Sequence, residues 1–353
     1  MYHISVFFKE KIHFLNVLHY VSFRAMAGLL SSVLFSFLLG NRFIRFSQKV
    51  YRSKARAWTP ERHRSKDDMP TMGGLFILTT VIINVLLWAN LGQARVWLFL
   101  ACLVGYGVIG FYDDWSKIKQ RNGMSARNKF VLQVLLAVVL IIGLILFARL
   151  STTISFPFLK WLNPDLGWGY VPWAVFVMVA MSNAVNLTDG LDGLAIGSLI
   201  STFATFSIVG YLAGHSGMAM YLNIPFADTS EMAVIGAILV GSSIGFLWYN
   251  AYPAQIFMGD VGSLALGAGL GLIALMAKQE LLLPIAGGVF VVETLSVIVQ
   301  VVSFKYLGRR IFRMAPIHHH FELKGWQESK ITVRFAIITL LLCLVSLMTL
   351  KMR

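Results

Sequence analysis

The chain has 353 residues, 57% of them hydrophobic and 13% charged, with a mean hydropathy of +0.72 and a formal net charge of +14. A soluble domain is about half apolar and about a quarter charged, so the composition excludes an ordinary soluble domain and points to the membrane. The positive balance fits orientation signals in loops better than nucleic-acid binding, and Cys102 and Cys343, each inside an apolar run, leave no disulfide framework, CxxC metal site or redox chemistry.

Residues 1–20 mix Lys9, Glu10, Lys11 and three histidines with apolar residues, without the short apolar core and small-residue site of a cleaved signal peptide. Ten apolar spans follow, at about 21–40, 71–91, 96–112, 130–149, 171–186, 194–213, 232–249, 261–277, 282–302 and 332–350. Thr71 to Leu91 carries no charge, and Leu281 to Ser303 carries only Glu293, so such windows suit helices crossing ~30 Å of hydrocarbon. Turn-forming stretches such as "NPDLGWG" (163–169) and "NIPFADTSE" (223–231) separate them. No internal repeat or soluble-sized insertion interrupts the series, and one all-α, polytopic membrane domain over 1–353 is expected.

The loops after spans one, three, five, seven and nine hold twenty Lys and Arg residues, against seven in both termini and the opposite loops. The excess places those loops in the cytoplasm and both termini on the periplasmic side. Polar motifs then share one face: "DDWSK" (113–117) ends span three, "NLTDGLDG" (186–193) ends span five, "FMGD" (257–260) precedes span eight, and "IHHHFELKGW" (317–326) follows span nine. Five of the sixteen acidic residues sit in the first three of these motifs.

Carboxylates that converge at helix ends repel one another and shift upward in pKa unless a cation joins them. Mg²⁺ suits oxygen ligands shared with substrate phosphates, and Lys66, Lys117, Lys129 and the histidines would add positive charge for a polyphosphate. Such a site suits phosphoryl transfer, where catalysis is positioning and charge stabilisation. Plainer readings stand beside this one. Asp113 and Asp114 could end a helix in water, Asp260 could cap one, "DGLDG" lacks the spacing of a calcium loop, and Gly267 and Gly271 are spaced for helix packing. Glu293 is a functional candidate by its place in an apolar span, or a partner for a neighbouring helix. His318, His319 and His320 point about 100° apart on a regular helix and cannot share one ion. A loop in which one or two of them contact phosphate or order the chain is expected.

"PTMGG" (70–74), "GFYDDWSK" (110–117), "NAVNLTDGLDGLA" (183–195), "YPAQIFMGDVGSLALG" (252–267) and "FRMAPIHHHFELKGW" (312–326) closely resemble, in the same order, the motifs of the phospho-N-acetylmuramoyl-pentapeptide-transferase family. The resemblance implies a Mg²⁺-dependent enzyme of the bacterial inner membrane. It would transfer phospho-N-acetylmuramoyl-pentapeptide from UDP-N-acetylmuramoyl-pentapeptide to undecaprenyl phosphate, giving lipid I and UMP. Ten helices, a cytoplasmic active site and a homodimer are also implied. By resemblance, Asp260 is the metal ligand, and Asp113 and Asp114 are catalytic or metal-proximal carboxylates. Asn186 and Asp189 face the nucleotide side of the substrate; Lys66, Asp192, Asn250 and Phe257 form the uracil pocket, with Phe257 stacked on the base. His318, with His319 and His320 nearby, contacts phosphate or sugar, Thr71 joins the substrate-binding set, and Lys117 and Lys129 bind phosphates. One departure is Asp68-Met69, where relatives commonly have Gly-Thr before "PTMGG".

Direct in-line attack by the lipid phosphate, with Asp113 removing a residual proton, and a covalent aspartyl intermediate both fit these residues. Two other functions remain open at this stage. A proton-coupled carrier would use Glu293, and a transferase for UDP-N-acetylglucosamine would share the acidic motifs but differ around the histidines.

Overall fold

A computed structural model of the chain describes residues 2, 13–50, 69–120, 123–159 and 161–352. Lys66 and the basic stretch around it lie outside the described residues. Among the described residues the fold is all helical, with one isolated bridge between Thr153 and Asp165 and no strand.

Thirteen α-helices occur in chain order among the described residues: α1 Val21–Val50, α2 Gly73–Trp88, α3 Ala94–Gln120, α4 Ala126–Phe147, α5 Tyr170–Thr188, α6 Leu194–Ala213, α7 Ser216–Leu222, α8 Ser230–Asn250, α9 Gly259–Met276, α10 Leu283–Ala286, α11 Gly288–Leu307, α12 Ile317–Leu323 and α13 Glu328–Thr349. Nine of the described helices are long and apolar enough to cross a membrane. The tenth expected span is α2, whose 16 residues reach only about 24 Å. The chain is a multi-pass membrane protein.

The differences from the expected spans have local causes. Helix α3 runs eight residues past the expected end at 112, because Asp113 and Lys117 pair one helical turn apart, at 2.8 Å. The expected ninth span is broken: a short 3-10 turn, Glu280–Leu282, and α10 precede Gly287, and α11 starts only at Gly288. Helix α11 stops at Gly308, whose φ of 64° closes the helix in the left-handed conformation. The histidine run is α12 rather than a loop, with Pro316 as its N-cap residue.

Helix α9 is the axis of the molecule. Every residue from Val261 to Met276 is buried, as suits a helix that is apolar on all sides. It packs against α3 and α5 most extensively and also against α2 and α6. Gly267 and Gly271 meet Met181 and Met178 of α5, so the packing reading of that pair holds. Helix α8 fills the space between α1 and α6, while α1, α4, α11 and α13 expose most of their length as an apolar rim. At the end of the bundle where α1 and α8 begin and α2 ends, Arg24 meets Glu231 through two hydrogen bonds of 2.8 and 2.6 Å and donates to Trp88 O; the Asn90 N–H also donates to Glu231. Such a pair withstands burial because each charge is met by its opposite and by further hydrogen bonds.

Candidate active site

Opposite the Arg24–Glu231 clamp, the end of α3, the start of α4, the end of α5 and the start of α9 come together. Adjacent residues on a helix diverge by about 100°, yet Asp113 and Asp114 both turn inward, and both are buried. Asp113 accepts from the Met124 N–H at 2.6 Å, which ties the α3–α4 turn to the acid. Asp114 accepts from the Val261 N–H at 3.3 Å, at the start of α9. These residues therefore do not simply end a helix in water.

Asp260 stands in the first turn of α9, where the helix macrodipole favours an anion. Gly259 before it has a φ of 73°, and a side chain there would meet Asp114 Oδ2 at 2.6 Å. The residue must be glycine for the two carboxylates to approach. The "PTMGG" segment holds this turn by backbone bonds: Gly73 N donates to Phe257 O, Gly74 N to Met258 O and Phe257 N to Pro70 O. Thr71 is consequently set beside Gly259. Asn186 at the end of α5 donates to Asp260 Oδ1 at 3.1 Å and to Ser263 Oγ at 2.8 Å. Ser263 was not expected; its place one turn beyond Asp260 was the available signal.

One oxygen from each of Asp113, Asp114 and Asp260 lies within 4.8 Å of the others. The Lys117 ammonium sits among them, 2.8 Å from Asp113, 3.2 Å from Asp114 and 3.0 Å from Asp260. Lys129 closes the group from α4, pairing with Asp113 at 3.2 Å and with Asp260. The neutralising lysines thus come from the end of α3 and the start of α4, whereas the stretches at 187–193 and 250–260 carry none.

Beside this cluster opens a cavity of about 180 Å³ lined by Asn186, Asp189, Leu191, Asn250, Phe257 and Asp260, with Gly190 and Gly259 in its wall. The Asp189 carboxyl is pushed up to about 8, by burial first and then by the Asp260, Asp114 and Asp192 carboxylates, against a hydrogen bond from the Gly259 N–H. Asn250 is engaged at both ends, accepting from Gly193 N and donating to Ile256 O. Asp192 is not in the cavity lining; it is buried and accepts from Ala254 N, which fixes the turn ahead of Phe257.

The three histidines take different partners, and the His318 and His319 rings lie 4.2 Å apart, centroid to centroid. His318 is fully buried, with Nδ1 3.1 Å from Glu293 Oε2 of α11. His319 meets Glu322 at 2.7 Å, and His320 Nδ1 accepts from the Arg313 N–H. None of them lines the cavity; His318 stands directly behind Gly190. Glu293, open to two readings from sequence, is the partner of His318.

Residues 96–278 match the family described as "Glycosyl transferase family 4". The chain is 51% identical over 360 residues to a protein of Nitratidesulfovibrio vulgaris (strain DP4), with both chains covered in full. It is 48% identical over 357 residues to one from Citrifermentans bemidjiense and 47% identical over 358 residues to one from Syntrophus aciditrophicus, again over the full length of each. All three bear the name "Phospho-N-acetylmuramoyl-pentapeptide-transferase".

Proposed function

This chain belongs to the phospho-N-acetylmuramoyl-pentapeptide-transferase family and catalyses lipid I formation in peptidoglycan synthesis; we propose that it does so at the Asp113, Asp114 and Asp260 cluster with the help of Mg²⁺. The single observation that carries this reading is the Lys117 ammonium held among one oxygen of each carboxylate. A cation is already the natural occupant of that point, and an all-oxygen donor set of few carboxylates suits Mg²⁺. When bound, Mg²⁺ would supply charge stabilisation to the phosphate oxygens in transfer.

The donor is UDP-N-acetylmuramoyl-pentapeptide and the acceptor undecaprenyl phosphate. An oxygen of the lipid phosphate forms a bond to the β-phosphorus, the bond from that phosphorus to the bridging oxygen breaks, and UMP leaves with the electron pair. Lys117 and Lys129 lie within reach of the same ground and would take up phosphate charge there. A lipid phosphate whose second pKa is near 6, by analogy with phosphorylated side chains, is largely ionised at neutral pH. Asp113 accepts the residual proton. Phe257 and Asn250 form the nucleotide end of the cavity, with Asp192 holding the turn before Phe257; Lys66 is assigned to the base by the family resemblance alone. Asn186 orients Asp260, Asp189 contacts the nucleotide side of the substrate, Thr71 stands beside Gly259, and His318 serves the phosphate or sugar end.

The enzyme is assigned to the bacterial inner membrane as a homodimer with both termini periplasmic. The excess of Lys and Arg in the loops at the acidic end supports that orientation. Binding of Mn²⁺ as a stand-in, read by electron paramagnetic resonance on purified protein, tests the metal assignment. The wild type should bind one ion that Mg²⁺ displaces, and Asp260→Asn should lose it; equal binding by the variant would remove Asp260 from the ligand set.

A further inference from the structure

Helix α11 is apolar except for a few residues, and Glu293 sits in it with no exposed surface. A carboxylate so placed is costly unless something meets it. Its Oε2 lies 3.1 Å from His318 Nδ1 and 3.5 Å from the His318 backbone nitrogen. A carboxylate offers only acceptors, so Nδ1 is the ring nitrogen placed to donate to it, while the approach as it stands lacks hydrogen-bond geometry. The other nitrogen is thereby turned the opposite way. An added Cβ on Gly190 would lie 2.3 Å from Nε2, so the imidazole backs directly onto a glycine that lines the cavity beside Asp189 and Asp260. His318 Nδ1 and Nε2 and Glu293 Oε1 are buried and make no hydrogen bond among the described residues. Orphaned buried polar atoms are rare, and three in one contact pair call for a reason.

Two turns further along α11, Gln300 accepts from the Ile311 and Phe312 N–H groups and donates to Phe312 O, while Ser303 donates to Arg309 O. Helix α11 therefore holds the segment leading to α12 by its backbone at residues 309–312. Glu293 is the contact from this helix that is aimed at an imidazole.

We infer that Glu293 is a positioning residue for the transfer: acting through His318, it fixes the Gly190 wall of the cavity and keeps Nε2 as the nitrogen turned toward it. The inference rests on the reading above that His318 serves the phosphate or sugar end of the substrate. A partner that orients a functional imidazole through its second nitrogen is a general device. Its contribution appears in kcat, because the geometry of the reacting group depends on it and the nucleotide end of the cavity does not.

The test measures kcat and KM for UDP-N-acetylmuramoyl-pentapeptide, with melting midpoints, in Glu293→Gln, Glu293→Asp, His318→Ala and the double variant Glu293→Gln/His318→Ala. Glu293→Gln should lose about a hundredfold in kcat, the scale of a reacting group misplaced by ~1 Å, with KM little changed. Glu293→Asp should recover part of the loss, and the double variant should be no slower than His318→Ala. Wild-type kcat in Glu293→Gln beside an impaired His318→Ala would overturn the role of Glu293 and leave that of His318 standing. Full activity in His318→Ala would instead overturn the reading of His318 itself, and losses that multiply in the double variant would show that Glu293 does not act through it. Should Glu293→Gln fail to fold, Gly190→Ala leaves Glu293 intact and pushes the imidazole directly. It should show the same loss in kcat, and wild-type kcat there would overturn the inference.

Discussion

Gly110 stands one turn before Asp113 and Asp114, packed on the backbone of the other half of the acidic cluster. A Cβ at this position would lie 2.3 Å from the Asp260 carbonyl oxygen, 2.4 Å from its carbon and 2.6 Å from Val261 N. Ordinary contact begins at 3.4 Å, so Gly110→Ala forces the start of α9 away from α3 by about 1 Å, and backbone cannot rotate aside as a side chain can. The cluster is built across this crossing, with Asp113 and Asp114 on one side and Asp260 on the other. A displacement of ~1 Å in a reacting site costs roughly a hundredfold, or about 2.7 kcal/mol at the transition state. Overpacking of the crossing itself should cost about 1 to 3 kcal/mol of stability. The assay is UMP release at saturating substrate, with a melting curve on the same preparation. A folded Gly110→Ala enzyme with kcat within about threefold of wild type would refute the claim that spacing across the α3–α9 crossing sets the activity.

Phe257→Ala removes the face on which the base stacks, worth about 1 to 3 kcal/mol; KM for the UDP substrate should rise roughly tenfold to a hundredfold with kcat nearly unchanged, as steady-state kinetics would record. Glu231→Gln leaves the buried Arg24 charge unpaired and should cost about 3 to 5 kcal/mol of stability, seen as a lower melting midpoint with unchanged kcat per active molecule, since the clamp is at the other end of the bundle. Lys278 lies between spans, with its ammonium 3.9 Å above the Tyr170 ring and donating to Ser151 O; burial lowers its pKa to about 8 from 10.5, with the Glu280 carboxylate opposing. The unfolded chain then holds more protons between pH 8 and 10.5, so this group makes the fold more stable as pH rises through that window and less stable as pH falls through 8. Melting midpoints taken across it should show a slope that Lys278→Met lacks.

The spans were legible because uninterrupted apolar windows such as Thr71 to Leu91 leave a lipid-compatible helix as the only outlet for the backbone. Their ends were less so. Asp113, Asp114 and Lys117 read as the close of a span, yet mutual ion pairing carries α3 through them to Gln120. The acidic cluster could be assembled from "DDWSK", "NLTDGLDG" and "FMGD" because all three motifs fall on one face once the spans are counted. What closes the cluster was not readable: lysines expected to await phosphate instead meet the carboxylates, a matter of distances across helices. Likewise the pairing of Glu293 with His318 joins two helices, and periodicity along either one says nothing about the other. Gly110 opens the "GFYDDWSK" motif, but a glycine there marks a close approach without naming the neighbour.

The most direct measurement is UMP release by the purified protein in detergent with undecaprenyl phosphate, comparing UDP-N-acetylmuramoyl-pentapeptide with UDP-N-acetylglucosamine, with and without Mg²⁺, and with Asp260→Ala alongside. Release confined to the muramoyl substrate, abolished by chelation, restored by Mg²⁺ and lost in the variant is the predicted result. Release from UDP-N-acetylglucosamine, or release that survives both chelation and Asp260→Ala, would contradict the account.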